Sequence, residues 1–173
     1  MTSYIAQGLS RRNIREYVKY VRSLCGLENR LYFPVAEFLE LMLPKLVGDF
    51  NFEAIEYSEM QDKEGETIPS LNTIRIREDV YDKAIAGDGR ERFTILHEIG
   101  HLLLHNNDRV VLCRVSNNFA IKAYENPEWQ ADAFAGEMLM AEHLIRNMSV
   151  EEIAMKCGAS YAAASCQYNQ IRK

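Results

Sequence analysis

Residues 90–105 read Arg90-Glu91-Arg92-Phe93-Thr94-Ile95-Leu96-His97-Glu98-Ile99-Gly100-His101-Leu102-Leu103-Leu104-His105. Phe93, Leu96, Ile99, Gly100, Leu103 and Leu104 recur at helical spacing after Asp88-Gly89, which predicts one helix from about 90 to 105. On that helix His97 and His101 are four residues apart and lie about 40° from each other around the axis, on one face. Their imidazoles can converge on one tetrahedral Zn2+. Glu98, next to the first histidine, can reach a water held by the ion. Zinc lowers the pKa of that water, and the glutamate takes its proton as it attacks a carbonyl. The flanks are apolar, and ionisable side chains left without partners there would be costly to bury. The expectation is a zinc site with His97 and His101 as ligands and Glu98 as catalytic base.

A hydrolytic zinc site takes three protein ligands and keeps one position open. A third histidine ten residues after the first is missing, because that position is Asn107. His105 continues the i, i+4 series, but it sits ~12 Å along the axis from His97 on a straight helix. It is therefore expected in the core or the cleft. A further helix starts at Asn126 as N-cap and Pro127 as first residue and runs to about 141. It carries Glu128-Trp129-Gln130-Ala131-Asp132. Glu128 is the candidate third ligand. Asp132 shares its face and can accept a hydrogen bond from the free N–H of a ligand histidine. Glu128 also fits as an ordinary acid in a helix first turn, and Glu125 is a weaker rival. Ala131 and Ala135 would let this helix approach the first closely. Glu137 is expected on the opposite, solvated face. His105 and Tyr124 are candidate cleft residues, with no signal that assigns either to an oxyanion.

Working outward, Ile14, Tyr17, Val18, Val21, Leu24 and Cys25 predict an amphipathic helix over 10–25, capped by Ser10 and stopped by Gly26. Pro34 and Pro44 bracket an apolar helix over 35–43. Residues 50–58 and 72–77 read as strands, and 61–71, with Gly65 and Pro69, as a loop or wide hairpin turn. Val110-Val111-Leu112 suggests a short strand and Asn117-Asn118 a turn. Residues 149–172 read as two short helices broken near Gly158.

The formal net charge is −5, which disfavours nonspecific binding to nucleic acid or to an anionic membrane. The C-terminal helix pair has a helix-turn-helix flavour. Its second helix offers Tyr161, Gln167, Tyr168, Asn169 and Gln170, but no Lys or Arg before Arg172. Phosphate neutralisation would be poor, so it is expected to pack or dock a partner rather than bind DNA directly. The four cysteines, Cys25, Cys113, Cys157 and Cys166, form no CxxC pair and are expected to be reduced. The first residues do not resemble a signal peptide, and no apolar run approaches ~20 residues. A cytoplasmic protein without a membrane span is expected.

The run 90–105 and the block from Glu128 to Met140 resemble, in order and spacing, the signature of the ImmA/IrrE family of metallopeptidases. The resemblance extends to the N-terminal helix, the strands before the first motif and the C-terminal helices. It implies an α+β fold, a mostly helical zincin-like domain over 1–148 with a small antiparallel sheet, followed by a helix-turn-helix-like segment over 149–173. It implies that His97, His101 and Glu128 match the zinc ligands and Glu98 the catalytic glutamate. It also implies a protein partner, a repressor with a helix-turn-helix whose cleavage relieves repression of a mobile element or of stress genes. By analogy with zinc peptidases, the strand at 72–77 is expected to pair with an extended substrate. Two alternatives use the same residues: a regulator with structural zinc that acts by binding a partner or DNA, and a proteolytic toxin held by an antitoxin. The oligomeric state is left open.

Overall fold

The computed structural model describes residues 6–106 and 122–172. The chain begins with α1 (Arg11–Leu24), where the Ser10 hydroxyl accepts from the backbone N–H of Asn13 in a capping box. Gly26 follows with φ +66°, the left-handed turn that favours glycine at a helix end. Ile14, Val18 and Val21 form the buried stripe of α1.

The next helix does not stop before Pro44 as expected. It runs as α2 (Val35–Glu37), a π-helical turn over Phe38–Met42 and α3 (Leu43–Leu46). The backbone N–H of Leu43 reaches back to Phe38 O, and this widened turn makes room for the Pro44 ring, which would clash with a carbonyl in a regular helix.

β1 (Asn51–Ile55) leads into the short helix α4 (Tyr57–Met60), then β2 (Gly65–Ile68), a 3-10 turn over Pro69–Leu71, and β3 (Thr73–Arg77). The sheet order is β1-β3-β2, with β1 parallel and β2 antiparallel to β3. Two expectations are corrected here. The sheet is mixed rather than antiparallel throughout, because the stretch read as a loop or wide turn folds into a strand of its own. That strand takes one side of β3 and leaves the other to β1. The strand expected to meet a substrate, 72–77, is thus the central one, with both edges paired. Ile74 and Ile76 on it are fully buried.

α5 (Glu78–Ile85) precedes α6 (Gly89–Leu104), which is the spine of the core. Ile95, Leu96, Ile99 and Leu102 are buried on it, among the sheet, α5 and α7 (Pro127–Leu139). α7 contributes Ala131, Phe134, Ala135 and Met138, and Tyr17 of α1 meets the Phe134 ring with centroids 6.4 Å apart. Glu137 is not solvated. It is 1% exposed and paired with Arg15 at 3.0 Å and Arg11 at 3.2 Å, because α1 crosses the face of α7 that was expected to be free.

α8 (Glu142–Ile145), α9 (Val150–Cys157) and α10 (Tyr161–Gln170) complete the chain. Gly158, with φ +61°, separates the last two helices as expected. Ile153, Cys157, Ala164 and Gln167 are buried, and Gln167 donates to Met140 O at 3.1 Å. This packs the helix pair on the end of α7. Cys25 is half-buried and Cys166 exposed, and all three described cysteines are free. Among the described residues no helix is long and apolar enough to cross a membrane. The readings placed on 110–112, 117–118 and Cys113 lie outside the described residues.

Candidate active site

Two helix starts and one glycine place the candidate ligands. The Asp88 carboxylate accepts from the N–H groups of Arg90 at 2.9 Å and Glu91 at 3.1 Å and so caps α6. Asn126 Oδ1 accepts from Glu128 N at 2.9 Å, with Pro127 at the first helical position, so α7 opens where the spacing predicts. The two helices nearly touch at Gly100. A Cβ there would stand 3.1 Å from Ala131 Cα and 3.2 Å from Ala131 O. This close approach brings the first turn of α7 over His97 and His101.

The Nε2 atoms of His97 and His101 are 3.0 Å apart. Glu128 Oε2 lies 3.3 Å from His97 Nε2, and its Oε1 lies 3.4 Å from His101 Nε2. One ligand atom from each of the three residues falls within 4.8 Å of the others. His97 Nδ1 donates to Asp132 Oδ1 at 2.8 Å, and in the neutral ring this leaves His97 Nε2 with its lone pair. A lone pair and a carboxylate facing each other without a donor between them is an arrangement that a cation completes. Two imidazoles and a carboxylate are also the donor set of hydrolytic zinc sites. The residues therefore fit the ion. Glu125, the rival, is not in this trio.

The electrostatics agree with a site built around charge. Burial opposes the charged form of His97, but Asp132, Glu98 and Glu128 together outweigh it and raise its pKa. Burial and the neighbouring His97 push His101 down to about 4. Burial raises the Glu98 carboxyl, partly offset by a hydrogen bond from Thr67 and by His97. The Thr67 hydroxyl stands 2.6 Å from Glu98 Oε2 and 2.9 Å from Glu98 O. Gly65 lies against the same side chain: a Cβ there would meet Glu98 Cγ at 2.7 Å. Both residues belong to β2, so that strand, at the edge of the sheet among the described residues, presses directly on Glu98.

A cavity of about 460 Å3, lined in part by Glu64, Gly65, Arg90, Phe93 and Asp132, opens on one side of His97 and Glu98. A second, of about 320 Å3, shares His97 and Glu98 with the first and is lined also by Thr67, Pro69 and Glu128. His105 lines the second cavity and is outside the trio. Its Nδ1 is 3.1 Å from His101 Nδ1, and its Nε2 is 2.9 Å from Gln130 Oε1. Burial lowers its pKa. Tyr124 lines neither cavity. Its ring packs beside Gly8, and its carbonyl oxygen accepts from Gln130 Nε2 at 2.7 Å.

Thr67 and Gln130 are the contacts that the sequence reading missed. Thr67 sits in a stretch with no strand periodicity. Gln130 lies between two carboxylates that carried the motif, and nothing in the spacing marks an amide there. A comparison with curated proteins gives no match. The family model Peptidase_M78, described as the IrrE N-terminal-like domain, matches residues 73–165, from β3 into α10 and more than half of the chain. The chain belongs to this metallopeptidase family.

Proposed function

We propose that the chain is a zinc-dependent endopeptidase of the cytoplasm that cleaves a partner transcriptional repressor with a helix-turn-helix, one that controls a mobile element or a stress response. The observation that carries the chemistry is the convergence of His97, His101 and Glu128 at 3.0–3.4 Å, with Glu98 beside them in a cleft walled by an edge strand. The choice of a repressor as substrate rests on the resemblance of the two motif blocks.

When bound, zinc supplies Lewis acidity, lowering the pKa of a water and polarising the scissile carbonyl. His97, His101 and Glu128 would hold it, and Asp132 would orient His97. Glu98 takes the proton of the attacking water. As the C–N bond breaks, Glu98 returns that proton to the leaving amine nitrogen. Burial keeps Glu98 a stronger base than an exposed carboxylate. The substrate strand is best assigned to β2. Among the described residues β2 is paired only with β3, and it lies against α6, so its outer edge can accept an extended peptide. In this reading α10 packs and makes no direct DNA contact, since no Lys or Arg falls within Tyr161–Gln170.

The deciding experiment is incubation of the zinc-loaded protein with a candidate repressor, beside Glu98→Gln. Cleavage by the parent and none by the variant supports the reading. Equal cutting by both removes Glu98 as base. Partner or DNA binding independent of Glu98, with no cleavage, would favour a non-proteolytic regulator. Growth arrest on expression that Glu98→Gln abolishes would favour a toxin.

A further inference from the structure

His105 stands outside the trio but is buried, and both of its ring nitrogens have partners. The directions of these bonds follow from the far end of the chain of contacts. Gln130 Nε2 lies 2.9 Å from Gln7 O and 2.7 Å from Tyr124 O. Carbonyl oxygens only accept, so this end of the amide is its NH2 group and both hydrogens are engaged. The opposite end, Oε1, is then an acceptor, and His105 Nε2 at 2.9 Å must carry a hydrogen. A neutral imidazole protonated at Nε2 has a lone pair at Nδ1. The gap of 3.1 Å between His105 Nδ1 and His101 Nδ1 holds one hydrogen, which belongs to His101. His101 Nε2 is then bare, and it is this atom that faces His97 Nε2 and Glu128.

We infer that Gln130 and His105 are positioning residues that fix His101 in the tautomer able to bind metal. The backbone carbonyls of Gln7 and Tyr124 orient the Gln130 amide, the amide sets the His105 ring, and His105 sets His101. His101 thereby receives from a neutral relay what His97 receives from the Asp132 carboxylate. The relay also ties the site to the segment before α1, where Ala6 N donates to Glu125 O and Leu9 N to Tyr124 O, each at 2.9 Å. Sequence spacing alone leaves His105 as a spare histidine; its place in the relay comes from α7 carrying Gln130 across it.

The inference rests on the zinc reading of the trio, and the test separates the two. Long-range 1H–15N NMR of the metal-free protein, histidines labelled, is expected to show His101 protonated at Nδ1 and His105 at Nε2. His101 protonated at Nε2 instead would overturn the relay, whatever the metal does. Zinc affinity is then measured by competition with a chromophoric chelator. His105→Leu and Gln130→Leu are expected to bind about 10–100-fold more weakly than the parent. His105→Gln, whose Oε1 can accept from His101 and whose NH2 can donate to Gln130, is expected to recover to within about threefold of the parent, since it keeps the outer-shell bond. Parent-like affinity in both leucine variants, or equal weakening in His105→Gln and His105→Leu, would make the contact mere packing and overturn the inference. A parent protein that binds no zinc would sink the metal reading, while the tautomer measurement still decides the relay.

Discussion

The Thr67 hydroxyl is shared between the carboxylate and the backbone carbonyl of Glu98, at 2.6 Å and 2.9 Å. One residue of the edge strand therefore fixes both the side chain and the helix backbone of the candidate base. Thr67→Val keeps the shape and removes the bond. The expected outcome is a kcat/KM lower by roughly tenfold, a part of the ~10²–10⁴ that a positioned general base supplies, with zinc content unchanged. Thr67→Ser should recover most of the loss. Steady-state kinetics of the three proteins check this, and an unaltered Thr67→Val would show the hydroxyl to be idle.

Glu128 and Asp132 lie on one face of α7 and are predicted to fail differently. Glu128→Ala removes a candidate ligand, so zinc after dialysis should be substoichiometric. Asp132→Asn keeps all three ligands but weakens the bond that orients His97, so the site should still fill, with affinity lower by about 10–100-fold. Metal analysis and chelator competition separate the two. Tight, stoichiometric zinc in Glu128→Ala would move the third ligand elsewhere.

The spacing of α6 and α7 depends on the missing side chain of Gly100, whose hypothetical Cβ already sits 3.1 Å from Ala131 Cα. Gly100→Val must push the helices apart. Over-packing of this kind typically costs ~1–3 kcal/mol. Because the ligands come from both helices, zinc affinity should fall together with the urea midpoint. A variant that loses stability but binds zinc like the parent would show that the site tolerates the shift.

Much of this arrangement was legible before the fold was known, and the reasons are local. The i, i+4 histidines, the Asn126-Pro127 helix start and the Glu128–Asp132 face are all set by helical geometry within a single segment. Ser10 and Gly26 announce α1 in the same way. What was not legible depends on which segments meet. β2 lacks the alternation of a half-buried strand, and its four residues are all of intermediate exposure, so its pattern was that of a loop. The π turn just before Pro44 is a compromise between a proline and a buried apolar run, and the rule for prolines alone predicts an end there. Gln130 and Thr67 act across elements, which sequence spacing does not encode.

Arg77 and Asp79, flanking the end of β3, provide a pH test away from the site. The hydrogen bond from Arg77 holds the Asp79 carboxyl at about 2, below its reference value of 3.8. A depressed acid contributes stability fully above its unfolded pKa, and the contribution is lost as pH falls through the folded value. Asp79→Asn should therefore have a lower Tm than the parent at neutral pH. The difference should shrink as pH drops below 3.8 and vanish near 2. A Tm difference independent of pH would mean that the pair contributes through shape rather than charge.

Glu137 was expected in solvent and is instead the acid that joins α1 to α7. Arg11 and Arg15 both donate to it, and Arg11 also donates to Gln167 of α10, so one carboxylate organises three helices. Removing one partner of a buried pair leaves the others uncompensated. Both arginines keep about a fifth of their side chains exposed and can recover some hydration. Glu137→Ala is thus expected to cost about 3 kcal/mol, at the low end for breaking a buried pair. Glu137→Gln should cost less, since its amide oxygen still accepts a hydrogen bond. Equilibrium urea unfolding measures both. The two variants should bind zinc like the parent while folded, because Glu137 touches none of the trio. A loss of zinc without a loss of stability would place this network in the site rather than in the scaffold.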